Sequence, residues 1–461
     1  MPYSNRLAAA IIVGLLPIAV THAQPQLRLV SHAYNNSRIG AHGADPVVSA
    51  NGRFVAFRST ATNLIANPDS TMAPDTNNAP DMFVYNLDTG VAKRVSVTSL
   101  GAEANGISYG RPAISGDGRY VAFTTRAPNL IDQDLPVPNG TYNHTQIILY
   151  DTLTRTSKLV SRSANNRAGD RSSENPSFSA DGRFLVFDSS ALNLVGSEQE
   201  QRGLVNVFRY AVGTDPSNAD GNGLTLVSRD INGEHSSPGS SYPEISANGS
   251  RVTFNSSSTQ MITPATSPAA AHIYVRDLPT QTNSLLDRKN ALQTGIATSG
   301  PNAWSAISGD GRVTAFSSGA PNLRVNMDTP GNVTRHYVFV RDTREKGLRM
   351  ATLYPNEQTG PVGTWWPALN EDGRWLAFVA RQGGELLRPE DPRVGVYRRD
   401  MTNDTTEWVT VPLGNRGNHD DSGRPSINSD GQVLTFHTSY ADLVPNVQGS
   451  GSVMVYTASW R

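Results

Sequence analysis

The nine residues Ser115-Gly-Asp-Gly-Arg-Tyr-Val-Ala-Phe123 indicate the fold, because six other segments of the chain repeat their pattern. Each segment has a short polar start, an Asn-Gly or Asp-Gly pair, and an apolar run that closes on Phe. The other six segments are Ser49–Phe57, Ser179–Phe187, Ser246–Phe254, Ser308–Phe316, Asn370–Phe378 and Asn428–Phe436. The closing Phe recurs at intervals of 58 to 67 residues, and a period of this size indicates a repeat architecture.

Each repeat contains the sequence signal of a β-hairpin. The Asn-Gly or Asp-Gly pair lies between two β-prone runs, and we expect type I′ turns there, which need positive φ at both central residues. The runs after the turn, such as FVAF, YVAF, FLVF and WLAF, are almost continuously apolar. A strand with this pattern is covered on both faces, as it is when sheets stack face to face around an axis.

Two more strands follow the hairpin in the repeats. The predicted third strands are Met82–Tyr85, Ile147–Tyr150, Val207–Tyr210, Ile273–Arg276, Val338–Arg341, Val396–Arg399 and Val453–Tyr456. The predicted fourth strands are Lys93–Ser96, Lys158–Ser161, Leu224–Ser228, Ser284–Asp287, Leu348–Ala351 and Glu407–Thr410. The last repeat has no fourth strand, because the sequence stops at Arg461 after the third.

The strand that the last repeat lacks is at the other end of the chain. Leu27–Ser31 has the fourth-strand pattern and precedes the first repeat. One N-terminal strand and three C-terminal strands would complete a sheet, close a ring and hide its edges. The sequence therefore predicts an all-β, seven-bladed β-propeller of four-stranded antiparallel blades, the last blade closed by the N-terminal strand. The alternative, an open solenoid, would leave Leu27–Ser31 unpaired.

Residues 1–23 have the features of a secretory signal peptide. Arg6 provides the positive start, Leu7–Val20 is a 14-residue apolar core, and Thr21–Ala23 ends in the small residue that a signal peptidase reads. A membrane anchor is the weaker alternative, because the apolar run is shorter than a span needs. We expect a mature chain of residues 24–461 that forms one propeller domain, lies in a periplasm or is secreted, and does not insert into a membrane.

Composition excludes several classes of function. The chain has 461 residues and no cysteine, so disulfides, thiolate metal sites and a cysteine nucleophile are excluded. A net charge of -1 and the lack of a basic run argue against nucleic-acid binding. The chain also lacks a phosphate loop and a dinucleotide fingerprint. We therefore predict no cofactor.

The repeat unit resembles that of a known family. Its Ser-x-Asp-Gly-Arg-x-x-Ala-Phe pattern, with third strands that end in Asp151, Asp277, Asp342 or Asp400, is similar to the TolB-like propeller repeat, a relative of WD-type repeats. The resemblance covers the whole expected mature chain and implies the propeller fold. It does not imply one function, since the family includes translocation scaffolds, peptidase gates and polysaccharide lyases. We expect neither the extra α/β domain of TolB nor the hydrolase domain of the propeller peptidases.

Candidate ligand-binding residues lie where the first strand of each repeat begins. The residue before proline, or its equivalent, should point at the mouth of the central channel, on the face with the long loops. These residues are Asp45, Arg111, Asn175, Tyr242, Trp304, Trp366 and Arg424. The loops before them add His42, His235, Trp365, His419, Asp420 and Asp421. From these we select as the predicted site Arg111, Tyr242, Trp304, Trp366, Arg424, His42, His235 and His419.

This set of residues has two interpretations. Aromatic faces stack on sugar rings and arginine binds carboxylates or sulfates in pairs, which favours a site for an acidic or neutral glycan. In a catalytic version, arginine would neutralise a uronate carboxylate while His or Tyr abstracts the neighbouring proton. In the structural interpretation the three aromatic residues plug the channel as core, and Arg111 and Arg424 pair with Asp45 or with backbone.

Two local motifs carry less weight. Gly106–Gly110 matches the nucleophile-elbow pattern, which has meaning only between a strand and a helix of an α/β sheet. Asp75–Asp81 resembles the first two ligand positions of a calcium loop but lacks the later glycine and glutamate, and we expect a solvated acidic turn or a loop tied to its own backbone. No metal site is predicted from local spacing, while one assembled from separate blades stays open.

Two functional hypotheses follow. The first is an exported, monomeric, non-enzymatic propeller whose loop-rich face binds a partner protein or a glycan. The second is a carbohydrate-active enzyme, most plausibly a lyase of acidic polysaccharides. No catalytic residue can be assigned from the sequence alone.

Overall fold

The computed structural model describes residues 24–33, 43–65, 75–131, 144–165, 167–195, 204–213, 223–263, 271–288, 303–323, 336–344, 347–352, 363–381, 394–413, 422–440, 442–445, 447 and 452–461. The expected signal peptide lies outside these residues. Within them, no helix combines the length and the hydrophobicity that crossing a bilayer requires.

The described strands form seven four-stranded antiparallel sheets, which confirms the seven-bladed propeller. After β1 (Gln26–Leu29), blades 1 to 3 consist of β2 (Gly43–Val48), β3 (Phe54–Ser59), β4 (Asp81–Asn86), β5 (Val91–Arg94), β6 (Ser108–Ile114), β7 (Tyr120–Thr125), β8 (Gln146–Asp151), β9 (Thr156–Leu159), β10 (Ser173–Phe178), β11 (Phe184–Ser189), β12 (Asn206–Ala211) and β13 (Leu224–Leu226). Blades 4 to 7 consist of β14 (Ser240–Ile245), β15 (Arg251–Ser256), β16 (His272–Asp277), β17 (Thr282–Leu285), β18 (Ala303–Ile307), β19 (Val313–Ser318), β20 (Tyr337–Asp342), β21 (Leu348–Met350), β22 (Gly363–Leu369), β23 (Trp375–Arg381), β24 (Val394–Asp400), β25 (Thr405–Trp408), β26 (Ser422–Ile427), β27 (Val433–Thr438) and β28 (Met454–Ser459).

The core lies between neighbouring blades and inside each blade. Phe123 of β7 packs with Ala56 and Val84 of blade 1, which shows why the second strands are apolar on both faces. Within a blade, the closing Phe stacks on an aromatic side chain of the third strand. Such pairs are Phe57–Phe83, Phe187–Phe208, Phe254–Tyr274, Phe316–Phe339, Phe378–Tyr397 and Phe436–Tyr456.

The first strand of each blade faces the central channel, since consecutive first strands pack against one another around the whole ring. Backbone hydrogen bonds join the seven strand 1–2 turns. Gly116 N–H donates to Ala180 O at 3.0 Å, and Ser429 N–H donates to Ala50 O at 3.0 Å, which closes the ring from blade 7 to blade 1. We call the end of the channel with these turns the hairpin face, and the opposite end the loop face.

The hairpin turns differ from the expected type. Positive φ occurs at the glycine, for example 68° at Gly52 and 82° at Gly118, whereas the preceding Asn or Asp is not among the residues with positive φ. Ser49 N–H donates to Phe54 O and Gly52 N–H donates to Ser49 O, so a longer loop replaces the two-residue turn. The type I′ prediction is therefore wrong. The longer loop needs a left-handed residue only at glycine.

The arginine after the glycine serves the scaffold. Arg119 Nη2 lies 2.8 Å from Asp151 at the end of the third strand, and Arg374 Nη2 lies 2.6 Å from Asp400 in the same arrangement. The same arginine covers the neighbouring aromatic ring, as Arg119 does over Tyr120. Each pair ties the hairpin turn to the third strand of its own blade.

The fourth strands end about two residues earlier than expected. In blade 1 the strand ends at Arg94, and Ser96 Oγ accepts a hydrogen bond of 3.0 Å from Met82 N–H. In blade 2, Ser161 Oγ accepts a hydrogen bond of 2.9 Å from Ile147 N–H. In both blades a serine hydroxyl accepts the hydrogen bond of a third-strand N–H in place of a backbone carbonyl. The fourth strand can therefore end there and the chain can leave the sheet.

The N-terminal strand completes blade 7 as predicted. The strand order of that sheet is β1-β28-β27-β26, and Gln26 pairs with Ser459. Val30 N–H donates to Val455 O at 2.8 Å, and Ser31 Oγ accepts from Val455 N–H at 2.8 Å. The open-solenoid alternative is excluded, because the ring closes through this sheet.

Candidate functional site

A pocket of about 80 Å³ lies at the channel mouth on the loop face. Five of the eight predicted site residues line it together: Arg111, Tyr242, Trp304, Trp366 and Arg424. A wider cavity of about 200 Å³ continues along the channel and is lined by the first strands of all seven blades.

A β-bulge in each first strand orients the rim residues. The register of pairing shifts once in every first strand, for example between Ala44 and Val47 of β2, and bulges of this kind re-aim a side chain. The bulged residues have left-handed backbone: φ is 57° at Asp45, 53° at Asn175, 54° at Tyr242, 56° at Trp304, 50° at Trp366 and 44° at Arg424. Large residues rarely adopt this conformation, and such strain is concentrated at functional sites.

Blade 2 departs from the alignment of the seven rim positions. Its left-handed residue is Gly110, with φ 74°, and its bulge runs from Tyr109 to Ala113, one residue longer than that from Ala44 to Val47. Arg111 is therefore an extra residue and not the equivalent of the other six. Its guanidinium still reaches the pocket at the mouth.

The aromatic residues of the rim do not form a closed plug. Trp304 and Trp366 pack edge to face, with ring centroids 5.4 Å apart and planes at 62°. Tyr242 is 46% exposed. The structural interpretation of these three residues as channel core thus fits the tryptophan pair better than the tyrosine.

The charged residues of the rim form two groups. Asp45 lies between two arginines, 3.1 Å from Arg424 Nη1 and 3.3 Å from Arg58 Nη2. Arg111 Nη1 is 3.8 Å from Glu244 Oε1, and Arg111 Nη2 donates to a backbone carbonyl, Pro425 O, at 3.3 Å. The pairing with Asp45 and with backbone matches the structural interpretation of the arginines. In total, these two groups contain three guanidinium groups, those of Arg58, Arg424 and Arg111, and two carboxylates, those of Asp45 and Glu244.

Glu244 is a rim residue that the sequence analysis missed. Its side chain is 36% exposed to the channel, yet it lies deep enough that burial raises the pKa of its carboxyl, while Arg111 and the Ser177 hydroxyl act in the opposite direction. A comparison of the seven repeats in the sequence could have indicated Glu244. The residue after the proline is Val47, Ala113, Ser177, Ala368 or Ser426 in other blades, and only blade 4 places a charge there.

A second layer supports the rim from the second strands. Asp188 Oδ2 accepts hydrogen bonds from Asn175 Nδ2 at 2.9 Å and from Tyr242 N–H, in the next blade, at 2.8 Å. His437 Nδ1 likewise accepts from Asp45 N–H at 3.2 Å, from blade 7 to blade 1. Burial raises the pKa of Asp188 to about 7. These residues follow the closing Phe of their repeats, a variable position that could have indicated them.

Of the remaining predicted residues, the structure describes only His235. His235 pairs with Arg229 in an isolated bridge and does not line the pocket. His42, His419, Asp420 and Asp421 lie outside the described residues. In the elbow-like motif, Ser108 is buried and donates to Thr125 Oγ1 at 3.2 Å, as expected for a structural residue.

Comparison with known proteins identifies the fold and goes no further. No protein-family model and no curated protein matches the chain. Among solved structures, the β-propeller domain of the Trilobed protease from Pyrococcus furiosus is 11% identical over 92% of this chain and 94% of that one, with a TM-score of 0.50. Oligogalacturonate lyase from Vibrio parahaemolyticus is 10% identical, with coverages of 95% and 97% and a TM-score of 0.49. TolB from Acinetobacter baumannii is 14% identical over 78% of this chain, with a TM-score of 0.39, and the match spans 64% of the TolB chain.

Proposed function

We propose that this protein is an exported β-propeller that binds a carboxylate-bearing glycan in the pocket at the channel mouth. The observation that carries the proposal is the meeting of Arg111 and Arg424 with Tyr242, Trp304 and Trp366 in one pocket. Arginine binds carboxylates through paired hydrogen bonds, and aromatic faces pack on the apolar faces of sugar rings.

The electrostatics of the rim support an anionic ligand. Arg424 shares the single carboxylate of Asp45 with Arg58, so one positive charge there is not balanced. Arg111 Nη1 is 3.8 Å from Glu244 Oε1, a distance longer than a hydrogen bond, so Glu244 offsets the charge of Arg111 only in part. Both arginines lie in a recessed pocket, where solvent screens a bound anion less than it would at an open surface.

One observation favours catalysis as a second candidate function. Arg111 and Glu244 lie side by side in the pocket, 3.8 Å apart. Elimination from a uronate needs a cation to stabilise charge on the carboxylate and a nearby base to take the adjacent proton. A carboxyl with a raised pKa is a suitable base, so Glu244 replaces His or Tyr as the candidate for that role.

Titration with oligogalacturonate, followed by calorimetry, tests the proposal. We expect saturable binding, at least tenfold weaker in Arg111→Gln, and no binding of a neutral oligosaccharide. The matched control is Arg119→Gln, which removes an arginine from the hairpin face, where Arg119 pairs with Asp151. Equal affinity in Arg111→Gln and wild type would contradict the proposed site.

The same samples separate binding from catalysis. A lyase produces unsaturated sugars, which absorb ultraviolet light, and Glu244→Gln should then abolish the gain in absorbance while the ligand still binds. Binding without any gain in absorbance would leave the first function and remove the second.

A further inference from the structure

A buried cluster of carboxylates lies in blade 1, on the loop face and apart from the channel. Asp75, Asp81 and Glu103 each place a carboxylate oxygen within 4.8 Å of the other two. Arg94 Nη1 lies 3.3 Å from Asp81 Oδ2, 3.4 Å from Glu103 Oε2 and 3.9 Å from Asp75 Oδ2. With all four groups ionised, one arginine faces three carboxylates, which leaves two negative charges.

Asp75 does not lie in a solvated acidic turn, one of the two forms expected for this stretch. The other form, a loop tied to its own backbone, agrees with the hydrogen bond of 2.7 Å from Ala79 N–H to Asn77 Oδ1. The side chain of Asp75 is 3% exposed, and those of Asp81 and Arg94 are fully buried. Both carboxylate oxygens of Asp75 are buried, and in the described part of the chain neither receives a hydrogen bond. A buried carboxylate without hydrogen bonds is costly unless a cation compensates it. The counter-charge of Asp75 is Arg94, whose Nη1 is 3.9 Å from Asp75 Oδ2 and closer to Asp81 and Glu103, so the charge of Asp75 is compensated only in part.

Neighbouring contacts hold the other two carboxylates in place. Asp81 Oδ1 accepts a hydrogen bond of 2.5 Å from Ser96 Oγ. Glu103 accepts two hydrogen bonds from Thr76, one from the Thr76 hydroxyl at 2.5 Å and one from the Thr76 backbone N–H at 3.0 Å. The oxygens that face the centre of the cluster are thus positioned before any ligand arrives, which lowers the cost of binding.

Blade 2 shows that the fold does not require these charges. Gln146 begins the third strand of blade 2 as Asp81 does in blade 1, and Leu159 ends its fourth strand as Arg94 does. Ala168 takes the bridge position of Glu103. The neutral Gln146 donates to a backbone carbonyl, Gly169 O, at 2.8 Å. Of these two blades, only blade 1 has charged residues at the three positions. Forming a blade does not require them, so we look for a functional reason for their presence.

We propose that Asp75, Asp81 and Glu103 bind a calcium ion, with Arg94 as the neighbouring counter-charge. Calcium takes carboxylate oxygens at 2.3–2.6 Å, so two ligands of one ion lie at most about 5 Å apart. The three carboxylate oxygens, all within 4.8 Å of one another, meet this limit. Magnesium usually keeps several waters in its octahedron, which fits the buried side chains of Asp75 and Asp81 less well. A divalent ion would also balance the two excess negative charges.

Calorimetric titration of the EGTA-treated full chain with calcium chloride tests this proposal. We expect a saturable calcium site in wild type, and at least tenfold weaker calcium binding in Asp75→Asn. Asp88→Asn, which alters a half-exposed aspartate paired with Arg53, should bind calcium like wild type. Absence of saturable binding in wild type, or equal calcium affinity in Asp75→Asn and wild type, would overturn the proposal.

A second variant changes the affinity in the opposite direction. Arg94→Leu introduces the residue that blade 2 has at this position, Leu159, and leaves three carboxylates without their arginine. Purified in calcium and titrated after chelation, it should bind calcium more tightly than wild type and show a larger rise in melting temperature on adding calcium. An unchanged or weaker affinity would overturn the assignment of the ion to this cluster.

Discussion

Asp188 connects the rim with the stability of the protein. The residue is 5% exposed, and burial raises the pKa of its carboxyl from 3.8 to about 7. The folded protein therefore keeps a proton that the unfolded chain releases between about pH 4 and 7. Because the folded state binds more protons in this window, the contribution of Asp188 to stability falls as pH rises through it.

Replacing Asp188 by asparagine should remove this pH dependence. The amide oxygen can still accept from Tyr242 N–H, so the fold is retained. We expect the difference in unfolding free energy between pH 5 and pH 8 to shrink, by at most about 1.4 kcal/mol per pH unit within the window. Urea unfolding at the two pH values measures it, with Asp88→Asn as the control. An unfolding free energy that depends on pH in the same way in Asp188→Asn and wild type would contradict the assignment of this proton to Asp188.

Single residues also show the limits of prediction from this sequence. Arg424, Trp304 and Trp366 could be selected because they vary at a repeated position while the scaffold residues recur. The sequence marks Glu244 and Asp188 only as variable positions of the repeat, and their roles were missed because the residues they contact lie in other blades. Asp188 supports Tyr242 across a blade boundary, and Glu244 faces Arg111 across the channel mouth. Such proximity depends on closure of the ring.

At the scale of elements, the bulge in the first strand has a cost and a use. A left-handed residue other than glycine costs roughly 1–2 kcal/mol, and four large side chains of the rim have this conformation: Tyr242, Trp304, Trp366 and Arg424. Blade 2 has the unstrained solution, Gly110. Five of the six left-handed rim residues other than glycine line the pocket, Asp45 being the exception, which favours selection for binding over selection for stability.

Tyr242→Gly tests this trade-off. We expect the unfolding free energy to stay within about 1 kcal/mol of wild type, because relief of the strained backbone offsets the greater freedom of the unfolded chain. Affinity for oligogalacturonate should fall. Trp366→Gly is the comparison, and it should lose more stability because its ring packs against the core of blades 6 and 7. Chemical denaturation measures both, and a loss of several kcal/mol in Tyr242→Gly would refute the strain argument.

At the scale of the whole molecule, closure depends on one short strand. Strand β1 covers the outer edge of β28, and Val30 beside it is fully buried with Phe57 of blade 1 and Val455 of blade 7. Without this strand, the last blade would present an open edge to solvent and to other chains.

Deletion of residues 24–31 should therefore cause a large loss of stability or aggregation. The point variant Val30→Ala should cost about 2 kcal/mol, from lost burial and the cavity it leaves, whereas Gln26→Ala, at an exposed position, should change little. Thermal unfolding and light scattering measure these effects. An unchanged melting temperature after the deletion would contradict the closure of blade 7 by β1.

The sequence alone was enough to predict the number of blades, their four-strand order, the closure by β1 and six of the seven equivalent rim positions. These features follow from local patterns, because an apolar run beside a turn signal indicates a strand and the repeat shows this pattern seven times. The folded structure was needed to show that Arg111 is an extra residue, that Glu244 lines the pocket while Asp188 supports Tyr242, and that Asp75 is buried with Asp81 and Glu103. The reason is physical. Charge pairing, burial and pKa depend on distances between residues far apart in the chain, and those distances exist only once the ring has closed.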